Sequence, residues 1–148
     1  MRSVPIVAGL CVLLTASAAT AQPVVIGRVK TVAGDASILR SGNVIPARVG
    51  TDLLESDHVR TTANGRLGLT LRDDTRVSIG PQSEVSLDSF NYAPAEGKLG
   101  LALKFLRGVA VYVSGSIAKL APDAVRLETP AAIVGVRGTT VAVQVGEP

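Results

Sequence analysis

Arg66-Leu67-Gly68-Leu69-Thr70-Leu71-Arg72 decides the fold class. Successive side chains of an extended chain point to opposite faces, so Leu67, Leu69 and Leu71 share one side while Arg66, Thr70 and Arg72 share the other. One face is apolar and one is wet, the pattern of an antiparallel sheet covered by a core on a single side. Asp73-Asp74 then turns the chain, Val77 and Ile79 form the next inward pair, and Gly80-Pro81 turns it again before Val85 and Leu87.

The same alternation extends in both directions. Downstream it runs through Leu99, Leu101, Leu103 and Phe105, then Val109, Val111 and Val113 after Gly108, then Val125 and Leu127, and finally Val141, Val143 and Val145. Upstream it covers Ile26 to Val32, Ala36 to Arg40, and Asp57 to Thr61, separated by Ala33-Gly34, Ser41-Gly42-Asn43 and Asn64-Gly65. Asn-Gly is a strong hairpin signal, and Asn91 to Gly97, with Pro94 inside it, reads as a longer loop. After the N-terminal segment no run of helical period escapes Gly and Pro, and Ile117 to Leu120 makes one turn at most. The pattern predicts an all-β fold, a twisted antiparallel β-sandwich or β-roll of roughly nine to eleven short strands. A short β-solenoid is the alternative.

At 148 residues, 47% hydrophobic and 18% charged, the composition is that of one globular domain. The N-terminus differs from the rest. Arg2 precedes an apolar run from Ile6 to Leu14, and small residues lead to Ala19-Thr20-Ala21, the order of a cleavable secretory signal. That run is about half the ~20 residues a spanning helix needs. Residues 1–21 are therefore predicted to be a signal helix cleaved after Ala21, leaving 22–148 as one domain with no transmembrane segment, periplasmic or secreted. Cys11 lies within the apolar run and follows Leu10, which does not fit a lipid-anchor site. Cleavage removes that sole cysteine, so no disulfide or thiol chemistry remains. It also removes Arg2, and the 15 basic residues become 14 against 12 acidic, a formal charge of +2. Scattered singly, these charges form no nucleic-acid footprint.

Chemistry-bearing residues are sparse. His58 is the single histidine and reads as a surface residue at a strand start. The only adjacent carboxylates, Asp73-Asp74, sit where a turn favours Asp. Asp52, Glu55 and Asp57 lack the ladder and central Gly of a calcium loop. No cofactor, no metal and no enzyme activity are expected. Phe105 follows the inward leucines and reads as core, whereas Phe90 and Tyr92 read as exposed on the lip of the Asn91 loop. They are the candidates for a glycan or small-ligand site, the alternative to a protein-interaction role.

The last feature is Glu128-Thr129-Pro130-Ala131-Ala132-Ile133-Val134-Gly135-Val136-Arg137-Gly138-Thr139-Thr140-Val141. It reads as a strand ended by Pro130, a tight crossing that needs Gly135 and Gly138, and a new strand. Arg137 reads as a clamp on backbone carbonyls, the alternative being a charged fork offered to a partner.

"TPAAIVGVRGTTVAV" resembles the T-P-x-x-x-x-G-V-R-G-T signature of FecR-type domains, carried here by Thr129, Pro130, Gly135, Val136, Arg137, Gly138 and Thr139. The upstream stretches "GRVKTVAGDASILR", "PARVGTDLLESDHVRTTANGRLGLTLRDDTRVSIGPQSEVSL" and "LKFLRGVAVYV" follow the family order, so the resemblance spans about Gly27 to Val145. It implies a periplasmic all-β module, known from regulators that relay a signal from outer-membrane receptors to a sigma factor, with a protein partner and no catalytic residues. The chain departs from those regulators in two ways. A cleavable signal stands where they carry a cytoplasmic anti-sigma segment and membrane helix, so contact with a sigma factor is not expected. The chain also stops at Gly146-Glu147-Pro148 where the family continues, so edge-strand pairing with a partner is expected along Val141, Val143 and Val145.

Overall fold

The computed structural model describes Ser3, residues 16–136 and residues 138–146. Most of the predicted signal segment, and Arg137 of the signature, lie outside the described residues. Among the described residues twelve strands form: β1 (Val25–Ala33), β2 (Ala36–Arg40), β3 (Asn43–Pro46), β4 (Asp52–Leu54), β5 (His58–Thr61), β6 (Arg66–Leu71), β7 (Arg76–Ile79), β8 (Glu84–Ala93), β9 (Lys98–Val113), β10 (Val125–Glu128), β11 (Ile133–Gly135) and β12 (Thr140–Val145). One short helix, α1 (Ser116–Leu120), supplies the single turn anticipated there. Among the described residues no helix is long and apolar enough to cross a membrane.

The 16-residue β9 organises the molecule. Its first part pairs with β8 on one edge and β10 on the other. Its last part pairs with β7 and β12. The sheet thus has two halves, β3-β2-β5-β8-β9-β10-β11 and β12-β9-β7-β6-β1-β4, joined through a shared strand. Gly108 marks the bend, with a φ of +84°. The β7–β8 turn follows the same bend, because the Ser83 hydroxyl accepts the Val109 N–H at 2.9 Å. The result is one curled, mostly antiparallel sheet, a roll rather than a solenoid. Its one departure from the antiparallel expectation is β10, which lies parallel to β9 after the chain crosses through α1.

The decisive leucines do what their alternation predicts. Leu67, Leu69 and Leu71 are buried and meet Val85, Leu87, Leu101, Leu103 and Phe105 from the facing half in one hydrophobic cluster. Each such side chain contributes roughly 1.5–3 kcal/mol when fully buried.

Two turns differ from their sequence reading. Asn64-Gly65 joins β5 to β6, which are not partners, so it carries the chain between half-sheets instead of closing a hairpin. Gly65 is needed because a Cβ there would lie 2.2 Å from the Asp35 carbonyl oxygen. Asn91 to Gly97 is not a long loop either. β8 and β9 stay paired out to Ala93↔Lys98, and a short turn over Pro94–Glu96 closes the hairpin with Gly97 at φ +67°.

Asp73 turns the chain as expected but is itself buried. Its carboxylate accepts from the Thr75 hydroxyl at 2.7 Å and from the Ile117 N–H at 3.2 Å, tying the β6–β7 turn to the start of α1. Beside it Tyr112, fully buried, has a hydroxyl with no hydrogen-bond partner among the described residues. Burial is the main cause raising the Tyr112 phenol above its ordinary value near 10.0, against weaker opposing effects of Ser114 and Thr75. The fold therefore holds the neutral phenol. That contribution is complete well below pH 10, where the unfolded phenol is half ionised, and is lost as pH rises through that value toward the higher folded one. Tyr112→Phe removes an unsatisfied group, so its stability at pH 7 is expected to stay within about 1 kcal/mol of the parent or to rise. Thermal melts from pH 8 to 11 should show the parent falling more steeply than the variant; parallel curves would remove this account of Tyr112.

Candidate functional site

The carboxylates of the segment from Asp52 to Asp57 diverge. Asp52 pairs with Arg28 at 2.9 Å, Glu55 accepts the Phe90 N–H at 3.2 Å, and Asp57 takes a two-pronged contact from Arg40 at 2.9 and 2.7 Å. Among the described residues no group of three or more His, Cys, Asp or Glu side chains converges as a metal site would.

His58 lies on the outer face of the sheet, opposite Ser86 of β8. Its Nε2 is 3.3 Å from the Ser86 hydroxyl oxygen and its Nδ1 is 3.6 Å from Glu84. Serine, histidine and a carboxylate thus meet, but the Ser86 hydroxyl donates to Asp88. A nucleophile would aim that proton at the histidine. Arg60 also reaches Glu84, at 3.3 Å, and the cluster is a cross-strand polar network.

The signature residues divide among separate tasks. Thr129 closes the β10–β11 hairpin: its hydroxyl oxygen accepts the Ala132 N–H at 3.1 Å, with Pro130 inside the turn. Val136 is buried in the core. The Gly138 carbonyl accepts from the Ser114 hydroxyl at 3.0 Å, and the Thr139 carbonyl accepts the Ser114 N–H at 2.8 Å, so this stretch docks on the end of β9. The close packing expected at the two glycines is not seen among the described residues, where a Cβ on Gly135 or Gly138 would meet nothing within 4 Å. Gly138 has a φ of +129°, which side chains disfavour; nothing in the structure explains glycine at 135.

β12 forms as expected and pairs with β9 through Val145↔Gly108. Antiparallel pairs alternate between hydrogen-bonded and non-bonded. The Ser114–Thr139 bond sets the parity, which places the amides of Val141, Val143 and Val145 on β9. The outer N–H and C=O groups belong instead to Thr140, Ala142 and Gln144, so the edge sites lie one residue away from those read in the sequence. No strand covers that edge among the described residues.

At the far end of β8 lies a cleft of about 530 Å³, lined by Val24, Leu54, Glu55, Arg72, Phe90 and Tyr92 among others. The aromatic residues expected to be exposed are not platforms. Phe90 is 7% exposed and Tyr92 is half-buried, their ring centroids 6.4 Å apart. The Arg72 guanidinium stands 5.5 Å from the Phe90 ring centroid. Phe105 is core, as read.

The family model described as FecR protein matches residues 57–148, more than half of the chain. The chain belongs to the FecR protein family. No curated protein and no solved structure matches it. FecR domains are sensor and regulatory modules that are periplasmic in their family context, and the family suggests a protein-interaction role. The FecR match begins at Asp57, yet β1 pairs with β6 and β2 with β5, so the strands before it complete the same sheet. Sequence reading missed what anchors this FecR roll internally: the buried Asp73, the Arg40–Asp57 pair, and the clash-limited glycines at 65 and 108. An Asp or Gly in a turn looks the same in sequence whether or not another strand lies against it.

Proposed function

We propose that the chain is an exported FecR-type protein-interaction module of the periplasm or envelope, acting in signalling or regulation. Residues 1–21 serve as its cleaved signal and 22–148 form the module. The observation that carries this reading is the outer edge of β12. Its residues, Thr-Val-Ala-Val-Gln-Val, bear no charge, and uncovered edges are normally blunted by Lys, Pro or a bulge. An edge left open and uncharged fits strand addition by a partner.

Ladder parity sets the test. Ala142→Pro removes an outward N–H and is expected to abolish partner capture in envelope crosslinking while the melt changes little. Val143→Pro breaks a bond to β9 and should unfold the strand. If Ala142→Pro retains the same crosslinked protein, or if crosslinking recovers no specific protein at all, the reading is wrong.

A further inference from the structure

The β8 edge facing the cleft is another strand edge that no strand covers among the described residues. β5 pairs only with Glu84 to Ser86, and the Ser56–Leu87 and Asp57–Leu87 backbone bonds end the contact. Beyond them the one bond on this edge among the described residues is from the Phe90 N–H to the Glu55 side chain at 3.2 Å. A carboxylate therefore occupies the place where a neighbouring strand would offer a carbonyl. Because the Phe90 N–H points away from β9, strand alternation turns the Phe90 C=O and both backbone groups of Tyr92 outward and gives Asn91 and Ala93 to β9.

The cleft beside this edge has apolar walls in Leu54, Phe90 and Tyr92 and two charged side chains, Glu55 on the Phe90 N–H and the cation Arg72. Arg72 is exposed, stacks on Phe90, and makes no ion pair among the described residues. A guanidinium held over an aromatic ring offers a fork of donors suited to a carboxylate.

We propose that the β8 edge from Phe90 to Ala93 is a docking groove for an extended segment of a partner protein. The segment would pair its backbone with Phe90 and Tyr92, set an apolar side chain in the cleft, and place an acidic side chain on Arg72. Glu55 acts as a stand-in that incoming backbone displaces. This inference rests on the interaction-module reading and names a surface other than β12.

The probe is a blocked heptapeptide of alternating Val and Thr with one central Asp, titrated into the isotopically labelled full chain and followed by backbone NMR. Saturable shifts are expected at Phe90, Tyr92 and Ala93, with slowed exchange of the Tyr92 amide. Arg72→Gln, or Asn in place of the peptide's Asp, should weaken binding about tenfold. Glu55→Ala should tighten it several-fold, since it empties the seat on the Phe90 N–H, whereas a residue needed only for structure would lose binding. Shifts confined to β12, no saturable shift, or weaker binding by Glu55→Ala would each overturn the groove. The module reading is judged separately, by whether envelope crosslinking recovers a specific protein.

Discussion

Gly108→Ala is expected to leave the chain without a stable fold. A single methyl suffices, because a Cβ at this position would lie 2.1 Å from the Ser83 hydroxyl oxygen and 2.6 Å from the Ser83 Cα. The hydroxyl can rotate away, but the backbone cannot. Ser83 is also fixed from several sides: its N–H donates to the Thr61 hydroxyl at 3.0 Å, and its own hydroxyl bridges to Val109. Moving it would shear the β7–β8 turn from β9 at the point where the two half-sheets join. Positive φ adds roughly 1–3 kcal/mol of strain for any side chain. Clash and strain together are expected to exceed about 4 kcal/mol, a large part of the 5–15 kcal/mol that typically holds a domain. Gly42→Ala is the control. Gly42 has a similar φ of +80° but nothing within 4 Å of a Cβ, so its loss should be about 1 kcal/mol of conformational strain. Urea unfolding of both variants reads the difference; equal midpoints would show that the bend at Gly108 tolerates a side chain.

That contrast also shows how much of the fold could be read in the sequence. Leu67, Leu69 and Leu71 declare their strand because alternation is a local property, and the same holds for Leu101, Leu103 and Phe105. Which strands meet is not local. β10 lies parallel to β9 because α1 carries the chain across, and nothing in Val125 to Leu127 states a partner. The Asn64-Gly65 dipeptide has a hairpin's residues without a hairpin's neighbours.

The candidate sites divide the same way. The signature locates a hairpin turn and a docking stretch by residue type. The parity that turns Ala142 outward and Val143 inward depends on the hydrogen bond between Ser114 and Thr139, 25 residues apart along the chain. The cleft at Phe90 draws Val24, Leu54 and Arg72 from three separate strands or turns, so no window of sequence contains it.

Asp57→Ala is expected to be the most damaging loss of a polar side chain. Asp57 is 1% exposed, and its carboxylate accepts from Arg40 Nε and Nη2 and from the Leu54 N–H at 2.8 Å. Arg40 reaches on to the Asp52 carbonyl at 2.8 Å, so the pair ties β2 to both ends of the β4–β5 turn. Removing the carboxylate leaves a guanidinium whose side chain is only 28% exposed. Breaking a buried pair from one side costs about 3–5 kcal/mol; the partial exposure of Arg40 sets the expectation near the lower end. The hydrogen bonding that Arg40 donates to the Asp57 carboxylate is the main cause raising the Arg40 pKa above its ordinary value. Arginine stays charged in the unfolded chain at any workable pH, so its half of the pair should contribute equally from pH 5 to 9. Replacing both partners, as Arg40→Met with Asp57→Leu, removes the unpaired charge and should recover much of the loss. A cycle of the two single variants and the double, measured by urea unfolding at pH 7, separates the cases. Coupling within about 0.5 kcal/mol of zero would mean that the Leu54 N–H bond, and not the ion pair, is what makes Asp57 matter.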